Sequence, residues 1–210
     1  MTREHADTVT VYADYVCPFC YLGRHALSLY QDTREEPLRV EWHPFDLRAA
    51  QRGPDGELDL SVDDGKDEAY YERAREGVER LQEKYGVEMS VDVSREVDSF
   101  RAQLFSRYVQ EHEPYETWRA LDEALLAALW RDGRDIGDAD VLADVARGVG
   151  FDERVVETAL SDDANRDALA EDFAAAKAAG VTGVPTFVSD GHQARGAVPP
   201  EQLERLVEGV

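Results

Sequence analysis

Cys17 and Cys20 are the only cysteines of this 210-residue chain, and they stand where a strand pattern gives way to a helix pattern. Residues 9–13 before them are β-branched or aromatic enough to favour a strand. Apolar residues after them recur at helical spacing, at Leu22, Ala26, Leu27 and Tyr30. Pro18 suits the first turn of a helix, because its missing N–H is one that a helix leaves unpaired there. We therefore expect Cys17 at or beside the helix N-cap, and Cys20 one turn along and close enough to form a disulfide.

The charge of the chain limits its partners. It carries 45 acidic and 23 basic residues, a formal net charge of −22. Such a field repels nucleic acid and anionic lipid, so we expect neither as a partner. The acidic excess extends along the whole sequence and is similar to that of proteins from salt-loving organisms. Molar salt screens charges over about 3 Å, so we expect folding to weaken in dilute buffer.

Targeting signals are not evident in the sequence. The N-terminal stretch is charged from residue 3 and has no uninterrupted apolar segment, so it predicts no secretory signal. The longest purely apolar run, residues 124–130, is far shorter than the roughly 20 residues that span a membrane. These features favour a cytoplasmic protein without a membrane partner.

Two cysteines in a chain of this length do not form a disulfide framework. In a reducing compartment such a pair more often carries out redox chemistry or binds a metal. A tetrahedral zinc site needs four ligands, and the five histidines show no paired spacing. We therefore expect no metal.

A second strand and a polar loop follow the first helix. Residues 38–42 alternate apolar and polar side chains, which predicts a strand parallel to the first through a right-handed crossover. Residues 46–65 are polar, and Gly53-Pro54-Asp55-Gly56 indicates a turn within them. Strand, helix and strand thus open the chain as a βαβ unit.

Helical periodicity then continues for roughly a hundred residues, in which we expect five helices. The first ends at Gly86, and the second begins at a Ser94 N-cap with Val97 on its buried face. The third lies around Trp118, and the fourth begins at an Asp138 N-cap. The fifth covers residues 151–160. One apolar face on each helix indicates a packed core rather than a cofactor site.

The last fifty residues or so return to a mixed pattern of helices and strands. The expected elements are a helix after Ser161 that reaches Ala179 and is followed by Gly180, a strand at 183–189, a hairpin turn at Asp190-Gly191, a return strand at 192–195 and a helix from Pro199-Pro200. The predicted order is therefore β-α-β, a helical block, then α-β-β-α.

The cysteine pair favours thiol–disulfide exchange. The nucleophile in that reaction is a thiolate, and the unpaired N–H groups and dipole of a helix N-terminus favour the charged form. We expect Cys17 to attack a substrate and the more buried Cys20 to resolve the mixed disulfide. The reversible Cys17–Cys20 disulfide would be the redox group, with no separate cofactor.

Four blocks of sequence carry a family resemblance: DYVCPFCYLG at 14–23, GRDIGD at 133–138, GVTGVPTF at 180–187 and GAVPPE at 196–201. With these blocks the chain resembles the DsbA-type thioredoxin-fold family, and within it the FrnE-like branch of cytoplasmic dithiol oxidoreductases. The resemblance implies an α/β fold with a thioredoxin-like core at residues 1–62 and 161–210 and an all-helical insertion at 63–160. It also implies that Pro185 is cis and that Val184 contacts the substrate.

Two positions depart from the strongly oxidising members of this family. Those enzymes have a buried acid six positions before the first cysteine, where this chain has Val11. The nearest acid is Asp14, which would orient the loop or accept a proton from the thiols, a purely structural loop role being the alternative. Phe19 stands where those enzymes have histidine, so an imidazolium beside Cys17 is missing. Pro18, Phe19 and Asp14 are thus candidate tuning residues, and the reduction potential should lie nearer the reducing range.

Two other functions stay open at this point. Isomerases and kappa-class glutathione transferases of the same superfamily use this site to bind glutathione, but they typically have serine at the position of Cys17 and lack Cys20. A non-catalytic chaperone or interaction protein is the other alternative. The expected partners are protein dithiols or disulfides, with glutathione or a thioredoxin-like protein as a candidate reductant. The helical insertion is compatible with a monomer or a homodimer.

Overall fold

Four strands of the described residues form one sheet. The computed structural model describes residues 7–53, 56–91 and 96–209. The strands are β1 Asp7–Ala13, β2 Leu38–Pro44, β3 Thr186–Ser189 and β4 His192–Arg195, and their order in the sheet is β2-β1-β3-β4. β1 pairs with β2 in parallel and with β3 antiparallel, and β3 pairs antiparallel with β4. The parallel pair confirms the predicted βαβ opening.

Eight α-helices lie in the described residues. They are α1 Pro18–Gln31, α2 Glu68–Tyr85, α3 Phe100–His112, α4 Tyr115–Trp130, α5 Ala139–Gly148, α6 Glu153–Ser161, α7 Asp163–Ala178 and α8 Pro200–Glu208. The α/β class and the thioredoxin-like core with inserted helices are therefore as predicted. None of the helices in the described ranges is long and apolar enough to cross a membrane.

Local chemistry explains most of the element boundaries. The carboxylate of Asp138 accepts hydrogen bonds from the first N–H groups of α5, so this predicted N-cap is confirmed. Asp190 and Gly191 both have positive φ angles, 46° and 79°, which is the backbone of a tight two-residue hairpin turn. Gly180, with φ 76°, follows the end of α7 as expected.

The start of α3 differs from the prediction. Ser94, and likewise Pro54 and Asp55 of the predicted turn, lie outside the described residues. The helix begins at Phe100, so Val97 is not on it, although Val97 is buried. Ser99 occupies the N-cap position, but its hydroxyl bonds to Asp14 instead of to its own helix. The Ser99 side chain therefore makes a tertiary contact in place of a local cap.

A buried polar network fastens the inserted helices to the core. The hydroxyl of Tyr15 lies 2.8 Å from Ser106 Oγ on α3 and 3.0 Å from the carboxylate of Asp122 on α4. Arg24 on α1 pairs with the same carboxylate. The indole N–H of Trp130 donates to the backbone carbonyl of Tyr15 over 2.8 Å. Because such groups are costly to bury unpaired, these bonds fix α3 and α4 beside the loop that carries the cysteines.

Candidate active site

The structure places the two cysteines at the start of α1. Cys17 is the N-cap residue and Pro18 the first residue of the helix, as predicted. Both cysteines are free thiols, 4% exposed at Cys17 and 1% at Cys20. Cys17 lines a pocket of about 430 Å³, within the range of small-ligand sites. Cys20 lies one turn further into the helix.

The loop before β3 forms the opposite side of the site. The thiol of Cys17 donates a hydrogen bond to the carbonyl oxygen of Val184, with 3.6 Å between sulfur and oxygen. The Val184–Pro185 bond is cis, which agrees with what the resemblance implies. Gly23 lets α1 pack closely against this loop and β3, because a Cβ at Gly23 would lie 3.0 Å from both Pro185 Cγ and the Phe187 ring. Val184 and Pro185 therefore stand against the cysteine pair.

The thiol of Cys20 is buried more deeply than that of Cys17. Burial raises the pKa of Cys20 well above its usual range, and a hydrogen bond to Cys17 and the nearby charge of Asp14 raise it further. The direction of these effects favours a protonated Cys20. Any ionisation of Cys20 within the folded protein needs a proton acceptor close by.

Asp14 is a buried acid beside Cys20. It is 1% exposed, and its carboxylate accepts hydrogen bonds from the hydroxyl of Ser99 and from the backbone N–H groups of Leu47 (2.8 Å) and Val16 (3.2 Å). Burial raises the pKa of Asp14 from 3.8 to about 6, although the three hydrogen bonds act in the opposite direction. The side chain thus organises the cysteine loop, and its raised pKa brings it closer to neutral pH than that of an ordinary aspartate.

Helix α2 covers the outer side of the pocket. A Cβ at Gly77 would lie 3.3 Å from the ring of Phe19, so a glycine lets α2 pack directly on the residue between the cysteines. The hydroxyl of Tyr85, at the end of α2, donates to the backbone carbonyl of Ala197 over 2.9 Å. Phe19 therefore packs against α2, and the inserted helix becomes one wall of the site.

Three basic side chains line the same pocket: Arg48, Lys66 and Arg75. Lys66 pairs with Asp64, which also lines the pocket, at 3.0 Å. The chain as a whole has 23 basic and 45 acidic residues. Three cations against the one carboxylate of Asp64 therefore make this pocket locally positive. The pocket can therefore accommodate an anionic group near Cys17.

Several of these residues were not found from the sequence. Ser99, Leu47 and Gly77 lie far along the chain from the cysteines, and periodicity shows which face of a helix is buried but not what covers it. Gly77 did carry a signal. A glycine inside a helical pattern lowers helix stability, and it often marks a close approach of another element.

A cysteine pair at a strand-to-helix junction, opposite a cis-proline loop on a four-stranded sheet, defines a thioredoxin-fold protein. Residues 8–208 match the DSBA-like thioredoxin domain, which covers most of the chain. The chain therefore belongs to the DsbA-like thioredoxin family.

Three relatives illustrate the similarity. An uncharacterized protein of Bacillus subtilis, YwbO, is 29% identical over 95% of this chain and 94% of its own length. The crystal structure of a probable DsbA oxidoreductase from Streptomyces coelicolor, SCO1869, superposes with a TM-score of 0.76 at 22% identity, covering 97% of this chain and 90% of that one. The cytosolic disulfide reductase DsbM from Pseudomonas aeruginosa, with GSH, has a TM-score of 0.63 at 16% identity, covering 96% and 93%.

Proposed function

We propose that this protein is a thiol–disulfide oxidoreductase with Cys17 and Cys20 as its redox pair. The observation that carries the proposal is the position of Cys17, whose thiol lies at the N-terminus of α1, lines the pocket and faces the Val184 carbonyl. A substrate sulfur that enters the pocket meets Cys17 first, because Cys20 is 1% exposed and one turn deeper. The four sequence blocks support a place in the FrnE-like branch.

The first step in the reducing direction is attack by the Cys17 thiolate on one sulfur of a substrate disulfide. A Cys17–substrate disulfide forms, the substrate S–S bond breaks, and the second substrate sulfur leaves as a thiolate that takes a proton from solvent. Cys17 is the N-cap residue of α1, so the attacking sulfur lies at the positive end of the helix dipole. The backbone at Val184 would align the substrate beside Cys17.

The second step needs a proton acceptor for Cys20. We assign this role to Asp14, because it is buried beside Cys20 and its pKa of about 6 leaves it largely ionised at neutral pH. Transfer of the Cys20 proton to Asp14 moves the negative charge from Asp14 to Cys20. The buried site therefore still holds a single negative charge. The Cys20 thiolate then attacks the Cys17 sulfur, the Cys17–Cys20 disulfide forms, the bond between Cys17 and the first substrate sulfur breaks, and that sulfur leaves as a thiolate and is protonated.

The same two steps in reverse oxidise a dithiol substrate. In the reducing direction, a thiol reductant such as glutathione, or a thioredoxin-like protein, would return the Cys17–Cys20 disulfide to the dithiol. We place this chemistry in the cytoplasm, and the similarity to a cytosolic disulfide reductase supports this location.

Reduction of insulin by dithiothreitol, compared among the wild type and two single variants, tests the proposal. We expect Cys17→Ser to abolish the catalysed reaction, because it removes the nucleophile. Cys20→Ser should instead accumulate a mixed disulfide on Cys17, detectable as added mass that a reductant removes. Equal activity of all three proteins would refute the proposal and favour a non-catalytic interaction role.

The cations beside Cys17 favour a second candidate, a glutathione-dependent activity of the same site. Glutathione carries carboxylates that Arg48, Lys66 and Arg75 are placed to attract, and the similar DsbM structure contains GSH. Arg75→Gln should raise the KM for glutathione disulfide several-fold and leave that for a neutral disulfide, such as hydroxyethyl disulfide, unchanged. Arg73→Gln is the matched control, since Arg73 is exposed on the same helix. Equal effects of the two variants would exclude this candidate.

A further inference from the structure

Three buried polar side chains form a hydrogen-bonded chain from α3 to the cysteine loop. Nε2 of Gln103 donates to Ser99 Oγ over 3.1 Å, and Ser99 Oγ donates to Oδ1 of Asp14. The exposed fractions of the three residues are 0%, 1% and 1%. Buried polar atoms need partners within the protein, so each bond in this chain restricts the next.

Gln103 determines the direction in which Ser99 donates. Because Gln103 donates to the Ser99 oxygen, the single hydroxyl proton of Ser99 is directed to Asp14. The Ser99 side chain does not cap α3, and the N–H of Phe100 donates to Asp98 over 3.0 Å instead. An ionised carboxylate only accepts hydrogen bonds, and this arrangement supplies it with a donor.

A protonated Asp14 needs a different arrangement. Its other two donors are the backbone N–H groups of Val16 and Leu47, which cannot become acceptors. Ser99 can, because a hydroxyl both donates and accepts. The Ser99 proton then needs an acceptor of its own. Oε1 of Gln103 is buried and, within the described part of the chain, has no hydrogen-bond partner.

We propose that Ser99 and Gln103 are positioning residues that hold Asp14 in both of its protonation states by reversing the direction of their hydrogen bonds. With the carboxylate, Gln103 Nε2–H donates to Ser99 and Ser99 donates to Asp14. With the acid, Asp14 donates to Ser99 and Ser99 donates to Gln103 Oε1, after the amide turns over. The proton taken from Cys20 is thus held with the Asp14 carboxyl and the Ser99 hydroxyl both hydrogen-bonded. The functional side of this inference rests on the proposed role of Asp14.

The surrounding charges are held in place by other contacts. The ionisable groups that face Asp14 are Cys20 on α1 and Asp46 after β2. Arg52 pairs with Asp46 at 2.7 Å and with Asp98, immediately before Ser99, also at 2.7 Å. A Cβ at Gly137 would lie 2.7 Å from the Asp98 carbonyl oxygen, so the segment before α3 is tightly packed. The hydrogen bonds of Ser99 and Gln103 can therefore rearrange while the charged residues around Asp14 stay in place.

Infrared titration of the Asp14 carboxyl in the reduced protein tests the proposal. The absorption of the protonated carboxyl is identified by its loss in Asp14→Asn. Ser99→Ala should move the titration midpoint up by about one pH unit, since it removes a donor to the charged form. Gln103→Met should move the midpoint down, because Ser99 then has no acceptor when Asp14 is protonated. Ser99→Thr should restore the wild-type midpoint.

Ser106→Ala is the matched control for these variants. Ser106 is a fully buried serine on α3, two turns from Ser99, but it bonds to Tyr15 and Trp118 instead of Asp14. Its removal should leave the Asp14 midpoint unchanged. A Gln103→Met midpoint that rises or stays constant would overturn the proposal, because Gln103 would then only strengthen the Ser99 donor. The titration needs no disulfide exchange, so its result is independent of whether the proposed activity holds.

Discussion

The carbonyl oxygen of Val184 accepts a hydrogen bond from the thiol of Cys17, although the two residues stand 167 positions apart in the sequence. The site is therefore formed by two distant segments, the start of α1 and the loop before β3. The loop after β2 and the inserted helices complete it. Asp14 is held by Ser99 at the start of α3, and Phe19 is covered by Gly77 of α2.

Cys17→Ser should separate activity from stability. A serine hydroxyl fits the 4% exposed site, and the interaction that it loses is the single hydrogen bond to the Val184 carbonyl, which the longer thiol spans over 3.6 Å. We therefore expect the free energy of unfolding to change by less than about 1 kcal/mol, the size of a typical net hydrogen-bond contribution. Denaturant unfolding of the reduced proteins measures this change. A loss of several kcal/mol would mean that the thiol has a structural role in addition to its proposed chemical one.

Gly23→Ala should weaken the contact between α1 and β3. The added Cβ would lie 3.0 Å from Pro185 and from Phe187, so one of the three side chains has to move. Overpacking of this kind costs about 1–3 kcal/mol. Gly148→Ala is a helical control with open space around the new methyl group, and it should be neutral or stabilise by up to about 1 kcal/mol. Equal unfolding midpoints for the two variants would contradict this interpretation.

Elements defined by local chemistry were predictable from the sequence. The hairpin at Asp190-Gly191 and the α5 cap at Asp138 depend on a few neighbouring residues, and both occur as expected. The start of α3 was predicted too early in the chain, and the hydroxyl of Ser99 at its N-cap bonds to Asp14, 85 positions away. No local pattern contains that contact. The cysteine site was likewise predictable where it is local, but the proton environment of Asp14 required the tertiary structure.

Phe19→His should make the cysteine pair a stronger oxidant. An imidazolium beside Cys17 stabilises the thiolate, and stabilising the reduced form raises the reduction potential. We expect a rise of roughly 30 mV or more, a tenfold change in the exchange equilibrium, measured against glutathione buffers. Phe19→Leu controls for the lost packing on Gly77 and should leave the potential near that of the wild type. A comparable rise in both variants would attribute the effect to packing rather than charge.

The charge of −22 predicts a strong dependence of stability on salt. Self-repulsion between the acidic side chains weakens as the Debye length falls from about 10 Å at 0.1 M to about 3 Å at 1 M. The melting temperature should therefore rise steadily with KCl up to the molar range. Sucrose at matched osmolarity is the control for effects other than screening. A melting temperature that does not respond to KCl would contradict the halophile-like interpretation of the composition.

Asp14→Asn should remove a specific pH dependence of stability. The pKa of Asp14 is raised from 3.8 to about 6 by burial, so the folded state binds this proton more tightly than the unfolded state. The resulting stabilisation is fully present below about pH 4 and is lost as the pH rises to about 6. A difference of about two pKa units corresponds to about 3 kcal/mol.

The unfolding free energy of Asp14→Asn relative to the wild type should therefore increase by up to about 3 kcal/mol between pH 4 and pH 7. Any pH-independent loss from the altered hydrogen bonds to Leu47 and Ser99 cancels in this comparison. Asp167→Asn, at an exposed position on α7, should show no such increase. Urea unfolding at several pH values measures both variants. A constant difference between Asp14→Asn and the wild type across this range would show that Asp14 stays ionised in the folded protein, and it would remove the basis for its role as a proton acceptor near neutral pH.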